Sequence, residues 1–245
     1  MLNKLFLSKS IHHINNVDFT VNYYEFPKHI YNNLDREHRD LSNYSNHCNT
    51  ITWGRNGDEV KKICKKYITY LETSQIIKVK NTQYDVCVLL NYWIYEKLNE
   101  IFRDEESSED IKIAFGNLQL VWNQLYNYSS RINHNNCNPK FEMVNHHDWE
   151  KRKKLYDYYV DYKELVFLAQ NHDKQCKYYN KIKEKISLYD HFSKPCTSRG
   201  SECPHFYDDC KSYNPNLVLS KLPCYTQMEK MVLAYDNLQT ILIPS

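Results

Sequence analysis

The sequence predicts a mainly α fold: one disulfide-stapled helical domain over residues 1–245, with short polar loops. Three observations carry this expectation. The chain has only four glycines, at positions 54, 57, 116 and 200, too few for the turns of a dinucleotide-binding sheet or a phosphate loop. Apolar residues recur at spacings of three and four, the period of a buried helix face. Nine cysteines, Cys48, Cys64, Cys87, Cys137, Cys176, Cys196, Cys203, Cys210 and Cys224, include no Cys-x-x-Cys pair.

In chain order, residues 16–26 alternate in a strand-like way but have no second strand to pair with. A weak helical pattern covers 27–38 and a clearer one 58–73. The strongest covers 83–103, where Val86, Leu89, Leu90, Trp93, Ile94, Leu98 and Ile101 form one stripe. Thr82 and Asp85 stand at capping-box spacing at its start. Residues 109–127 follow, with Ile111, Ile113, Ala114, Leu118, Leu120, Val121 and Leu125 apolar and a cap within Ser107 to Asp110. Another helix starts at Asp148, read as its cap, and carries Trp149, Leu155, Tyr158, Tyr159, Tyr162, Leu165, Val166 and Leu168. Helical patterns at 173–190 and 225–242 complete the set, and 103–110 and 131–140 are polar loops. Trp93, Trp122 and Trp149 are the expected core anchors.

Charge is balanced, 32 basic against 30 acidic residues, so neither nucleic acid nor an anionic membrane is an expected partner. The basic run Lys151, Arg152, Lys153, Lys154 and the lysines of 174–185 read as solvated helix faces. No apolar run approaches the roughly 20 residues that span a bilayer, and the start lacks a secretory apolar run of about 7 to 15 residues. Any membrane attachment is therefore expected only through a segment outside this sequence. Paired carboxylates, a nucleophile motif and a phosphate loop are all missing from the pattern, so the protein is read as not an enzyme, with no catalytic residue, cofactor or metal. His146, His147 and Asp148 are adjacent and point to different faces, which suits capping better than metal binding. Asn43 and Asn127 each begin an Asn-Tyr-Ser sequon and are candidate glycosylation sites.

Without close pairs, the cysteines fit neither a zinc module nor a thioredoxin-like site, which leaves disulfide staples and an oxidising compartment. A short helix is expected from Pro204 to about Tyr213, stopping before Pro215, with Cys203 at its cap and Cys210 two turns along. Two such turns rise about 10.5 Å, more than the roughly 7 Å a disulfide tolerates between Cα atoms. Cys203 and Cys210 should therefore not bond each other. Each should reach a different element, with Cys176, Cys196 and Cys224 as natural partners. Nine is odd, so one thiol is free, paired between chains, or left by a missing partner; the connectivity is otherwise open.

At these residues the chain resembles a known family. "CKYYNKIKEKISLYDHF" followed by "CTSRGSECPHFYDDCKSYNPNLVLSKLPC" is similar to the carboxy-terminal cysteine module of the Plasmodium interspersed repeat proteins, the vir-like variant antigens. That module spans about 173–224. "VCVLLNYWIYEKL" at 86–98 and "DWEKRKKLYDYYVDYKEL" at 148–165 resemble the family's other signature stretches, and the likeness runs from about Tyr24 onward. It implies a disulfide-stabilised helical ectodomain, ordinarily followed by a transmembrane helix and a short cytoplasmic tail. It further implies a non-enzymatic variant surface antigen, exported to the infected red-cell surface or associated parasite membranes. Immune evasion and adhesion are the implied roles, with a host cell-surface receptor or antibody as partner. Relatives carry a cysteine at the last position of the stretch that here reads Tyr156, Asp157, Tyr158, Tyr159, so one cysteine of this chain has lost its partner. Segments 42–58, 103–110 and 128–147 are the expected variable loops. The alternative is an intracellular trafficking or signalling module with reduced cysteines, whose stability would not depend on reductant.

Overall fold

In the computed structural model, residues 25–36, 45–49, 54–73, 84–103, 108–128, 137–197, 200 and 202–232 are described; they form helices and turns, with no strand among them. Helix α1 is Phe26–Asp35, with Pro27 in its first turn and Pro27, Ile30 and Leu34 buried. The strand-like reading fails where it can be checked, because Phe26 opens α1 and donates its backbone N–H to Asp161 at 3.0 Å. Residues 16–24, and 37–38 at the far end of the weak helical pattern, lie outside the described residues. A four-residue helix, α2, Ser45–Cys48, precedes α3, Gly57–Thr73. Asn56 enters α3 with φ 56°, and Asp58 and Glu59 place negative charge at its amino end.

Helix α4 is Val86–Ile101 and starts three residues later than its periodicity suggested. Asp85 is itself the cap: its carboxylate accepts the Cys87 N–H at 2.8 Å. Thr82 lies outside the described residues. Helix α5, Ser108–Tyr128, matches its expected span. Ile113 and Leu120, however, are 53% and 47% exposed; seven residues apart, they share the outward face. The buried stripe is Ile111, Ala114, Phe115, Leu118, Val121, Trp122 and Leu125. A 3₁₀ turn at Phe141–Asn145 occupies part of what read as loop.

Helix α6 is Trp149–Asn171. The single helix expected at 173–190 is instead two, α7 at Lys177–Lys183 and α8 at Ile186–Thr197. Cys176 takes a left-handed φ of 55°, and Asp173 starts a new helix by accepting the N–H groups of Tyr178 and Tyr179 at 3.0 and 2.7 Å. Periodicity missed the break at Glu184 and Lys185, between α7 and α8, because Tyr178, Ile182, Tyr189 and Phe192 stay in helical phase across it. Helix α9 is only Tyr207–Cys210; residues 205–206 form a turn, and a 3₁₀ turn at Lys211–Tyr213 carries the chain to Pro215. The last described helix, α10, covers 225–232, and the remainder of the expected 225–242 lies outside the described residues.

Helix α4 is the axis of the fold. Every residue from Val86 to Tyr95 is buried, as expected of a helix apolar all round, and α1, α3, α5 and α6 pack against it. Trp93 and Trp122 are 1% and 0% exposed. Trp149 is only half-buried, at the edge of this core, edge-on to Tyr95 with ring centroids 5.2 Å apart. Helix α6 contacts α1 and α4 as well as α7, α8 and α9.

Candidate functional site: the disulfide framework

Eight of the nine cysteines are bonded. Cys48–Cys64 ties α2 to α3, Cys87–Cys137 ties the first turn of α4 to the chain beyond α5, Cys176–Cys224 ties the start of α7 to the residue before α10, and Cys196–Cys203 closes the end of α8 onto the segment before α9. Their Cα separations, 5.9, 5.2, 5.5 and 4.7 Å, lie in the bonding range. Sequence separations of 50 and 48 residues correspond to about 4 kcal/mol each of loop-closure entropy removed from the unfolded chain. The separations of 16 and 7 correspond to about 3 and about 2 kcal/mol.

Cys203 and Cys210 do not bond each other, and Cys196 is the partner of Cys203. Two expectations change: Cys176 and Cys224 pair together, and Cys210 has no disulfide partner. The other eight cysteines pair with one another, which leaves Cys210 as a buried free thiol. At the end of α9 it is 0% exposed among tyrosines, and burial pushes its thiol pKa well up, which suppresses the reactive thiolate. Tyr159, where the resemblance places a cysteine in relatives, is buried on α6, and burial raises its hydroxyl pKa.

The tyrosines around Cys210 are core residues that also satisfy irregular backbone. Tyr189 donates its hydroxyl to the Cys210 carbonyl at 2.9 Å, and Tyr158 to the Tyr213 carbonyl at 3.1 Å. Tyr156 donates to the Asp85 carbonyl at 2.9 Å and accepts the Asp85 N–H at 2.8 Å, joining α6 to the start of α4. Tyr162 and Tyr213 stack at 4.4 Å.

Asp148 does not cap α6 with its side chain. Its carboxylate binds Arg152 Nε at 2.6 Å and His191 Nε2 at 3.0 Å. Burial alone would raise its pKa, but the hydrogen bonds from Arg152 and His191 outweigh that and hold it below the usual range. Arg152 is 3% exposed, donates from Nη2 to the Glu202 carbonyl at 2.6 Å, and lies over the Phe192 ring at 5.7 Å. The basic run is therefore no uniform solvated face. Lys151 and Lys154 face outward, whereas Arg152 is buried and Lys153 reaches Asp157 at 3.3 Å and Glu96 at 3.7 Å. Helical periodicity sorts the four, although nothing in the local sequence marks Glu202 as the acceptor.

Two expected variable segments are anchored by bridges. Cys48 holds 42–58 to α3. Cys137 holds 128–147 to α4, helped by Trp122 Nε1 donating to the Cys137 carbonyl at 3.1 Å and the Lys140 N–H donating to Gln119 Oε1 at 2.7 Å. Asn127 lies in the last turn of α5, and Asn43 lies outside the described residues. A shallow groove of about 380 Å³ between α4 and α6 is lined by Glu96, Glu100, Arg103, Trp149, Glu150 and Lys154 among others. Its carboxylates are engaged, Glu100 with Lys97 at 3.1 Å, Glu96 with Lys153 at 3.7 Å and Glu150 with Lys154 at 3.8 Å. Among the described residues no helix is long and apolar enough to cross a membrane.

A family model described as Plasmodium vivax Vir protein matches residues 25–237, the span that holds all four bridges. No curated protein and no solved structure matches the chain.

Proposed function

The chain belongs to the Plasmodium vivax Vir protein family, and from that premise we propose that it is the ectodomain of a variant antigen displayed at the infected red-cell surface. The family is one of Plasmodium variant surface antigens rather than of enzymes. The disulfides fit an oxidising compartment. In this reading the ectodomain meets a host cell-surface receptor or antibody and serves adhesion and immune evasion, with membrane attachment through a segment outside this sequence.

One observation carries the proposal. The bridges at Cys48 and Cys137, which lie within the expected variable segments 42–58 and 128–147, bond these segments to α3 and α4, and a covalently held scaffold suits substitution in its connecting segments. Labelling intact infected cells with antibody to this chain tests it. The expected result is surface labelling that brief external protease treatment removes. Labelling that appears only after permeabilisation would favour the intracellular trafficking or signalling module with reduced cysteines.

A further inference from the structure

Three of the four bridges are sealed in the core. Cys48, Cys64, Cys87, Cys137, Cys176 and Cys224 are between 0% and 5% exposed. Cys196 and Cys203 differ: both are only half-buried, and their bridge closes the shortest loop, a separation of 7 residues. An attacking thiolate needs access to a sulfur, and a short loop holds a bridge by the least chain entropy. Access and loop length thus single out the same bond.

What lies beside that bond gives its opening a consequence. Glu202, next to Cys203, offers its carbonyl to Arg152 Nη2 at 2.6 Å. Phe192, one turn before Cys196 on α8, lies under the Arg152 guanidinium. The bridge therefore closes a ring of contacts from α8 through Cys196–Cys203 and Glu202 to Arg152, and on to Asp148 and His191. A buried guanidinium that loses an acceptor is left with an unpaired donor.

We propose that Cys196–Cys203 is a surface thiol-exchange site, opened by a low-molecular-weight thiol while the other three bridges stay closed, and coupled through Glu202 to the Arg152 junction. A thiolate attacks one bridge sulfur and forms a mixed disulfide; the other sulfur leaves as a thiolate and takes up a proton. A second thiol then resolves the mixed disulfide, so two small thiols are oxidised to one disulfide and the bridge is reduced to two thiols. Cys210 is no internal competitor, because it is fully buried at the end of α9.

The test exposes the native protein to reduced glutathione, quenches with acid, alkylates, and maps the labelled cysteines by mass spectrometry over time. Cys196 and Cys203 are expected to be labelled or glutathionylated at least about tenfold faster than the other six bridged cysteines, with Cys210 unlabelled until denaturant is added. A different bridge opening first, or all four opening together, overturns the proposal. The variant Arg152→Lys keeps the charge but removes the guanidinium fork that reaches Glu202. It is expected to speed opening of Cys196–Cys203 alone; an unchanged rate, or equal acceleration of all four bridges, overturns the coupling.

Discussion

Between Gly57 and Tyr128 the chain buries itself with helices of 17, 16 and 21 residues. Between Asp173 and Cys224 it uses helices of seven, twelve and four residues and a string of 3₁₀ turns. The long helices satisfy most of their own backbone groups, and their interior mixes aliphatic side chains with buried aromatics, Trp93, Trp122, Phe115, Tyr67, Tyr92 and Tyr95 among them. The short elements leave carbonyls over, and side chains from α6 and α8 reach them: Tyr158 at Tyr213, Tyr189 at Cys210, Arg152 at Glu202. Two bridges lie in that module, within about fifty residues. Where regular structure is short, polar side chains and covalent links do the work that helix periodicity does elsewhere.

The largest expected effect breaks the first region. Trp122→Ala removes a fully buried ring and the donor to the Cys137 carbonyl, and should cost about 5 kcal/mol in denaturant unfolding. A loss under about 1 kcal/mol would show that the long-helix core does not anchor the fold. Next, Cys176→Ser combined with Cys224→Ser should cost about 4 kcal/mol, against about 2 for Cys196→Ser with Cys203→Ser. Equal losses for the two pairs would break the assignment of the long-range bridge as the module's main staple.

Smaller effects sharpen the contrast. Tyr189→Phe removes only the hydroxyl that the Cys210 carbonyl accepts and should cost about 1 kcal/mol. Asp148 gives a pH test. Its folded pKa is depressed, so its contribution is complete above the unfolded carboxylate value of about 3.9 and is lost as pH falls through the folded value. Asp157, on the same helix, is shifted the other way, raised by burial despite Lys153 and Tyr31, so its protonation on acidification favours the fold. Asp148→Asn should therefore lower stability at neutral pH and flatten its acid limb; an acid limb as steep as that of the parent protein would contradict the assignment. The smallest net change is expected from Tyr159→Cys, where a fifth bridge to Cys210 gains roughly what the lost tyrosine packing costs. Its readout is covalent, a loss of the Cys210 thiol seen by mass.

The same contrast explains how much the sequence could tell. The three long helices were legible within about three residues because each carries apolar residues at helical spacing, although α4 proves buried all round rather than along one stripe. The break at Glu184 and Lys185, the late start of α9 and the edge position of Trp149 were not. Each depends on a hydrogen bond or contact with an element distant in sequence or on a local turn that leaves the periodicity intact. The cysteines were legible as staples, and Cys203 and Cys210 are unbonded as expected, although the continuous helix from Pro204 on which that expectation stood is not formed. The full connectivity of the cysteines was not legible, because pairing depends on which helices meet. Arg152 was misread as solvated, since its acceptor, Glu202, lies fifty residues away.

The framework itself is tested most directly by non-reducing peptide mapping of protein made in an oxidising host, alongside melting with and without reductant. The structure predicts Cys48–Cys64, Cys87–Cys137, Cys176–Cys224 and Cys196–Cys203 with Cys210 free, and a large drop in melting temperature on reduction. A bridge containing Cys210, or nine free thiols with an unchanged melting temperature, would contradict it.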